Sequence, residues 1–247
     1  PFLLFLFFLY GCNGNKQEEK EDVSVFVDLP QLKAEGEITA VTLYSSTSYF
    51  QYKMQPMGYE YDLINDFAKS QGLKLNIKVA ENPARLIEML EAGEVDVVAY
   101  PIPINNKLKQ EVIYCGREDI SSQVLIQRAN KGDKLLTDVT QLIDKNVYVK
   151  PNTKYSERLK NLDEELGGGI HIQKVENDSI ATEDLIEMVS LGEIPYTISD
   201  DNTARLNKTY YWNINVDLKV SFPQRSSWVV RKSSPDLAKA IDEWASD

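Results

Sequence analysis

From residue 37 onward the hydrophobic positions of this chain switch repeatedly between a period of two and a period near 3.6. Ile38–Tyr44 (ITAVTLY) has the β-branched and aromatic content of a strand. Tyr59–Gln71 sets Tyr61, Ile64, Phe67 and Ala68 on one helical face and stops at Gly72, a residue suited to a helix end. Leu73, Leu75, Ile77 and Val79 alternate, which predicts a half-buried strand. Asn82-Pro83 supplies an N-cap and a proline for the first helical position. The helix that follows is expected to bury Leu86, Ile87 and Leu90 and to end at Gly93, with Val95–Ala99 as a third strand.

The same order returns further on. Asn146–Lys150 reads as a strand, and Thr153–Leu166 as a helix with Tyr155, Leu159, Leu162 and Leu166 on one side. Gly167, Gly168 and Gly169 break it; Ile170–Val175 is a strand, Thr182–Leu191 a helix closed by Gly192, and Ile194–Ile198 a strand. The two series share words as well as order. LIEMLEAGEVDVVAY begins at Leu86 and LIEMVSLGEIPYTIS at Leu185, an offset of 99 residues. Solenoid repeats run to roughly 20 to 50 residues, so this spacing fits two similar lobes with a cleft between them. Strands alternating with helices imply parallel sheets with right-handed crossovers, an α/β fold. Ser121–Arg128 and Val220–Lys232 read as two strand-like crossings between the lobes, a two-strand hinge. Ser234-Pro235 opens a last helix that returns to the first lobe. The expected division is residues 37–124 with 224–247 in lobe 1, and 125–223 in lobe 2.

Composition narrows the chemistry. Of 247 residues, 43% are hydrophobic and 26% charged, the proportions of a globular protein. A net charge of −11 argues against nucleic acid, whose phosphates need Lys and Arg. One histidine and two cysteines leave too few soft ligands for a zinc site, so no metal and no cofactor is expected. His171 lies in an alternating, strand-like run and reads as a structural or surface residue rather than a catalytic base.

The first ten residues, PFLLFLFFLY, are apolar throughout. A bilayer span needs about 20 residues, whereas this length suits the hydrophobic region of a secretory signal. Leu9-Tyr10-Gly11-Cys12 resembles a lipobox, which makes Cys12 the expected lipidation site; the alternative is an ordinary signal with an incidental cysteine. Residues 1–36 are thus expected to be a truncated lipoprotein signal and a flexible tether. Cys115 reads as a small buried apolar residue.

The span from Ile38 to Ala245 resembles the bacterial extracellular solute-binding proteins of the amino-acid-binding type. Gly58-Tyr59-Glu60-Tyr61-Asp62-Leu63 and Gly93-Glu94-Val95-Asp96 look like two of that family's segments. Ser45–Phe50 (SSTSYF), Lys107–Gln110 (KLKQ), Ser156–Leu159 (SERL) and Asp184–Tyr211 are most similar to the amino-terminal domains of membrane-bound lytic murein transglycosylases of the F type. The resemblance implies a two-lobed, periplasmic-binding-protein-like fold of type II. It also implies a binding and regulatory module, with catalysis residing in a separate carboxy-terminal domain.

In open α/β sheets ligands sit beyond the carboxyl ends of the strands. That rule selects Tyr44–Tyr49, Pro101–Lys107, Pro151–Tyr155 and Asp200–Thr203. By the family's pattern an aromatic residue covers the ligand, an arginine clamps a carboxylate, a Ser/Thr pair donates at a helix start and an acid takes an amino group. The candidate ligand-binding residues are Tyr44, Ser45, Tyr49 and Tyr59; Pro103, Asn105 and Lys107; and Asn152, Thr153 and Asp200. Plain structural roles compete: surface tyrosines, N-capping by Asn152 and Thr153, capping of the next helix by Asp200, and a solvated Lys107. Where the family has Thr-x-x-Arg, this chain has Ile104-Asn105-Asn106-Lys107. Lysine lacks the planar fork that grips a carboxylate with two bonds. A free α-amino acid is therefore less expected than a muropeptide-like or peptide ligand, or a site that no longer binds.

The leading expectation is a monomeric two-lobed sensor, lipid-anchored on the periplasmic side of the envelope at the outer membrane, controlling a lytic transglycosylase domain. A transporter receptor delivering solute to a permease is the alternative. An enzyme acting in the cleft through Asp200 and Asp201 is a third reading, since glycosidases use two acids roughly 5–10 Å apart.

Overall fold

The computed structural model describes residues 27–177 and 180–246. The apolar leader, Cys12 and most of the expected tether lie outside the described residues. Helix α1 (Leu29–Glu35) departs from the tether reading. Asp28 and Gln31 form a capping box, Pro30 sits in the first turn, and Gly36 ends the helix at φ 77°. Its Leu32 is buried in the core of the first lobe.

The first series is β1 (Glu37–Leu43), a small hairpin of β2 (Phe50–Tyr52) and β3 (Gln55–Met57), α2 (Tyr59–Ser70), β4 (Lys74–Ala80), α3 (Pro83–Glu91) and β5 (Val97–Pro103). A four-residue helix α4 (Leu108–Glu111) leads into β6 (Val112–Ser121) and β7 (Gln123–Arg128). The second series is β8 (Asn146–Val149), α5 (Lys154–Glu165), β9 (His171–Lys174), α6 (Thr182–Leu191), β10 (Tyr196–Asp200) and α7 (Asp201–Lys208). Then come β11 (Ile214–Asn215), β12 (Gln224–Arg231) and α8 (Pro235–Ala245).

These strands make two five-stranded sheets, ordered β4-β1-β5-β12-β6 and β11-β7-β10-β8-β9. In each, the first strand of a series lies between the second and the third, all parallel. The LIEM helices α3 and α6 occupy equivalent places, each between the second and third strands of its series. The sheets are mixed rather than wholly parallel, because β12 and β7 join antiparallel beside the third strand of each series. Those are the crossing segments, which enter their sheets from the other lobe.

Each lobe has its own core. Ile64, Phe67, Val97 and Ile241 are buried on one face of the first sheet, and Leu86, Leu90 and Val98 on the other. Leu125, Leu159 and Ile198 occupy one face of the second sheet, with Ile126, Ile186 and Val189 opposite. Burying each such side chain contributes about 1.5–3 kcal/mol. Two expectations shift. Val79 is 43% exposed because β4 is an edge strand. In α3 Met89 is buried where Ile87 was expected, giving the i, i+3, i+4 face Leu86, Met89, Leu90.

Two carboxylates tie the first lobe together. Asp96, in the Gly-Glu-Val-Asp segment, accepts from the Thr39 amide at 2.9 Å and from the Arg231 guanidinium at 3.0 Å, joining β1 to β12. Asp28 accepts from the amides of Leu29, Asp236 and Leu237, so a single side chain caps both α1 and α8. The crossings also bond to each other: the Gln123 amide donates to Ser221 Oγ at 2.8 Å, and the Val220 amide to the Gln123 carbonyl at 2.9 Å.

Candidate functional site

The carboxyl ends of β1, β5, β8 and β10 converge on a cleft of about 1350 Å³ between the lobes. Ligand pockets commonly enclose about 300–1,000 Å³, so the cleft has room for more than one amino acid. Its first-lobe wall begins with the loop 44–49, which is locked to the start of α2. The Tyr59 amide donates to the Thr47 carbonyl at 2.7 Å and the Tyr61 amide to the Ser48 carbonyl at 3.1 Å. This close approach requires Gly58, whose φ is 135°: a Cβ there would meet the Ser48 carbonyl oxygen at 2.3 Å.

Of the candidate residues, Tyr44, Ser45, Tyr59, Pro103, Asn152, Thr153 and Asp200 line this cleft. Tyr49, Asn105 and Lys107 do not. Tyr49 is 6% exposed and packs edge-on against Tyr61 at 5.7 Å, because Ser45 and Tyr49 pair as a β-bridge that turns the ring into the lobe. The Asn105 side chain accepts from the Leu108 amide at 2.8 Å and starts α4. Lys107 is exposed beyond the cleft mouth. The cause is β5, which runs on through Pro103 and pairs there with Ser226 of β12, so the residues after it are carried past the mouth.

In the second lobe Thr153 caps α5: its Oγ1 accepts from the Ser156 amide at 3.2 Å, and Ser156 Oγ accepts in return from the Thr153 amide. Asn152 adopts the left-handed region at φ 57°, which brings the chain into that helix. Asp200 precedes α7 but makes no side-chain cap bond. Its Oδ2 instead accepts from Lys154 Nζ at 2.5 Å and from the Tyr155 hydroxyl at 3.1 Å. Asp201 turns away, 4.0 Å from Arg205, with its amide on the Ser122 carbonyl. The two neighbouring acids therefore serve different partners and do not face each other across a scissile bond.

Several cleft groups were not named as candidates from sequence, although Lys154 and Tyr155 lie inside the selected segment Pro151–Tyr155. Glu60, in the first turn of α2, is pushed up to about 7 by burial and by the charge of Asp119, against the lowering effect of its bond from Trp228 Nε1 at 2.6 Å. Glu183 is raised mainly by burial and accepts from Ser46 Oγ at 3.3 Å, a contact from one lobe to the other. The Tyr100 phenol is raised by burial and then by the charges of Asp200, Glu183 and Glu60, so it stands among the three acids. The Tyr155 phenol is raised by burial and by Asp200. The available signal was position: Tyr100 directly follows the strand expected over Val95–Ala99 and lies within β5, and Glu60, Lys154 and Glu183 occupy first turns of cleft-facing helices. Among the described residues no group of three His, Cys, Asp or Glu side chains converges as metal ligands. What the site offers is hydroxyls, tyrosine faces, an excess of carboxylates and the cations of Arg117, Lys150 and Lys154, a set suited to binding a polar small molecule.

Comparison with known proteins agrees with this geometry. The chain is 31% identical over 218 residues to membrane-bound lytic murein transglycosylase F of Desulfosudis oleivorans, covering 87% of this chain and 46% of that protein. It is 28% identical over 235 residues to the protein of the same name from Ectopseudomonas mendocina, covering 94% and 45%. The chain thus spans about half the length of the curated relatives it matches. Among solved structures, the arginine-bound form of truncated ArgBP from T. maritima superposes with a TM-score of 0.73 at 20% identity, covering 87% of this chain and 97% of that one. An ancestral arginine-binding protein bound to glutamine gives 0.70 at 19% identity, covering 85% and 91%. These likenesses establish the two-lobed type II fold. The profile of one family matches residues 38–247, and the chain belongs to it: the bacterial extracellular solute-binding proteins, family 3.

Proposed function

We propose that this chain is the ligand-binding, regulatory part of a cell-envelope lipoprotein, closing on an amino-acid-like, peptide or muropeptide ligand and controlling a lytic transglycosylase domain. The observation that carries the reading is the convergence of strand ends from two separately cored lobes on one polar, tyrosine-lined cleft. Closure of two lobes about a hinge is the motion such an architecture supports. The likeness to transglycosylases over most of this chain supports the regulatory half of the reading, and the family supports a periplasmic location. Anchoring through Cys12 at the outer membrane belongs to the same proposal, as does a monomeric state. Among the described residues no helix is long and apolar enough to cross a membrane.

A second reading, a receptor that delivers solute to an amino-acid permease, is favoured by the fold match that covers 97% of truncated ArgBP. The test is a thermal-shift screen of the chain against amino acids, peptides and muropeptides, followed by glycan-release assays on the full-length protein with each hit. Ligand-dependent release supports the regulatory reading. A hit that leaves release unchanged favours the receptor, and no shift at millimolar concentrations sinks both.

A further inference from the structure

Lys154 is the first residue of α5, and its ammonium is already enclosed. Nζ lies 2.5 Å from Asp200 Oδ2 and 5.5 Å from the centroid of the Tyr155 ring, while the Tyr155 hydroxyl donates to the same carboxylate oxygen at 3.1 Å. The Lys154 and Asp200 side chains are only 19% and 17% exposed, yet both line the cleft. A carboxylate and an aromatic face around a primary ammonium form a cation cage. Here the protein's own side chain fills it.

The pair is not needed to hold its elements together. β8, which leads into α5, and β10, which ends in Asp200, are already neighbours in the sheet. Thr197 Oγ1 also donates to the Tyr148 carbonyl at 2.8 Å across that seam. A buried ion pair is in any case weak evidence of net stabilisation. Glu60 and Glu183 face the same cleft and have no Lys or Arg within ion-pair distance among the described residues. The lysine is therefore positioned specifically at Asp200.

We propose that Lys154 is a built-in occupant of the cleft's ammonium position, so that the cleft disfavours ligands with a free primary amine and favours N-acylated ones bearing a carboxylate. A ligand ammonium that seeks the Asp200 carboxylate must displace Lys154 and leave its charge without a partner in a half-buried site, while burial pushes the unpaired Glu60 and Glu183 toward their neutral forms. An N-acylated ligand leaves the cage intact or draws the flexible lysine onto its own carboxylate, where the N-terminal end of α5 adds favourable dipole. This rests on the reading that the cleft binds a small ligand, and it specifies which class.

The experiment uses the twenty L-α-amino acids and their N-acetyl derivatives as probes, by thermal shift and then titration calorimetry. The unmodified chain is expected to bind at least one N-acetyl derivative tenfold or more tightly than the matching free amino acid. K154M should shrink that ratio at least tenfold by gaining affinity for the free amino acid, and K154R should keep the original preference. D200N alone should raise affinity for the N-acetyl probe and gain nothing for the free amine, so the proposal stays testable if K154M does not fold. An unchanged ratio in K154M or D200N overturns the proposal while the binding reading stands. Binding of no probe by any of the four proteins overturns the proposal, and the binding reading then stands or falls with the peptide and muropeptide arms of the thermal-shift screen.

Discussion

Glu60 shows what a single residue contributes to the cleft and what it costs. Burial raises its carboxyl from 4.5 to about 7 in the folded chain. Below pH 4.5 both folded and unfolded states hold the proton, and the fold has its full stability with respect to this group. Between 4.5 and about 7 the unfolded chain releases its proton first, so stability falls as pH rises, and above 7 the loss is complete. Moving a carboxyl's titration by one pH unit corresponds to roughly 1.4 kcal/mol, which puts the loss at about 3.5 kcal/mol at most. E60Q keeps an acceptor for Trp228 and should remove this slope, which urea melts at pH 5 and pH 8 can measure. An unchanged slope in E60Q would assign the pH dependence to other groups. Nothing in the segment Gly58–Leu63 announces this burial, because it depends on Trp228, a residue 168 positions away. Lys154 and Asp200 were likewise unreadable as a pair, since a spacing of 46 residues says nothing of contact. Asp200 by itself was legible, as the acid at a strand end.

At the scale of the element, the sequence was most legible where local chemistry decides. Thr182–Leu191 runs as expected from residue to residue, closed by Gly192 at φ 82°. Asn82 caps α3 by accepting from the Arg85 amide at 3.1 Å, and Thr153 caps α5. Legibility failed where a neighbour decides. The exposure of Val79 follows from the edge position of β4, and the burial of Tyr49 from its bridge to Ser45. The α1 helix was missed although its Asp28-x-x-Gln31 box was there to be read. Its cap has two duties, so D28A should destabilise more than an ordinary cap removal. A single N-cap contributes about 0.5–2 kcal/mol, which predicts a loss of about 1–4 kcal/mol for the two helices. Thermal or urea unfolding of D28A measures it, and a loss below half a kcal/mol would mean that α1 and α8 do not depend on this carboxylate.

The whole molecule is two bodies joined at one seam. No hydrophobic cluster among the described residues mixes side chains from the two sheets. Ser121 and Gln224, where the chain leaves and re-enters the first sheet, are directly paired neighbours. Joining them through a two-residue Asn-Gly turn should therefore convert β6 and β12 into a hairpin and give a first lobe that folds alone. A cooperative thermal transition by circular dichroism is the expected result, and a non-cooperative melt would show that the second lobe is required. The duplication was legible at this scale because both series repeat one order of elements. The mixed sheets were not, since a strand crossing from the other lobe carries no mark of its direction.

The clamp made by Asp28 has a mechanical consequence. Helices near the two ends of the described chain are fastened to each other on one lobe, so tension between whatever precedes α1 and whatever follows α8 would run through that lobe. The other lobe hangs outside this line of force. Movement of that lobe would not work against the load, and a pull on the chain ends would neither open the cleft nor close it.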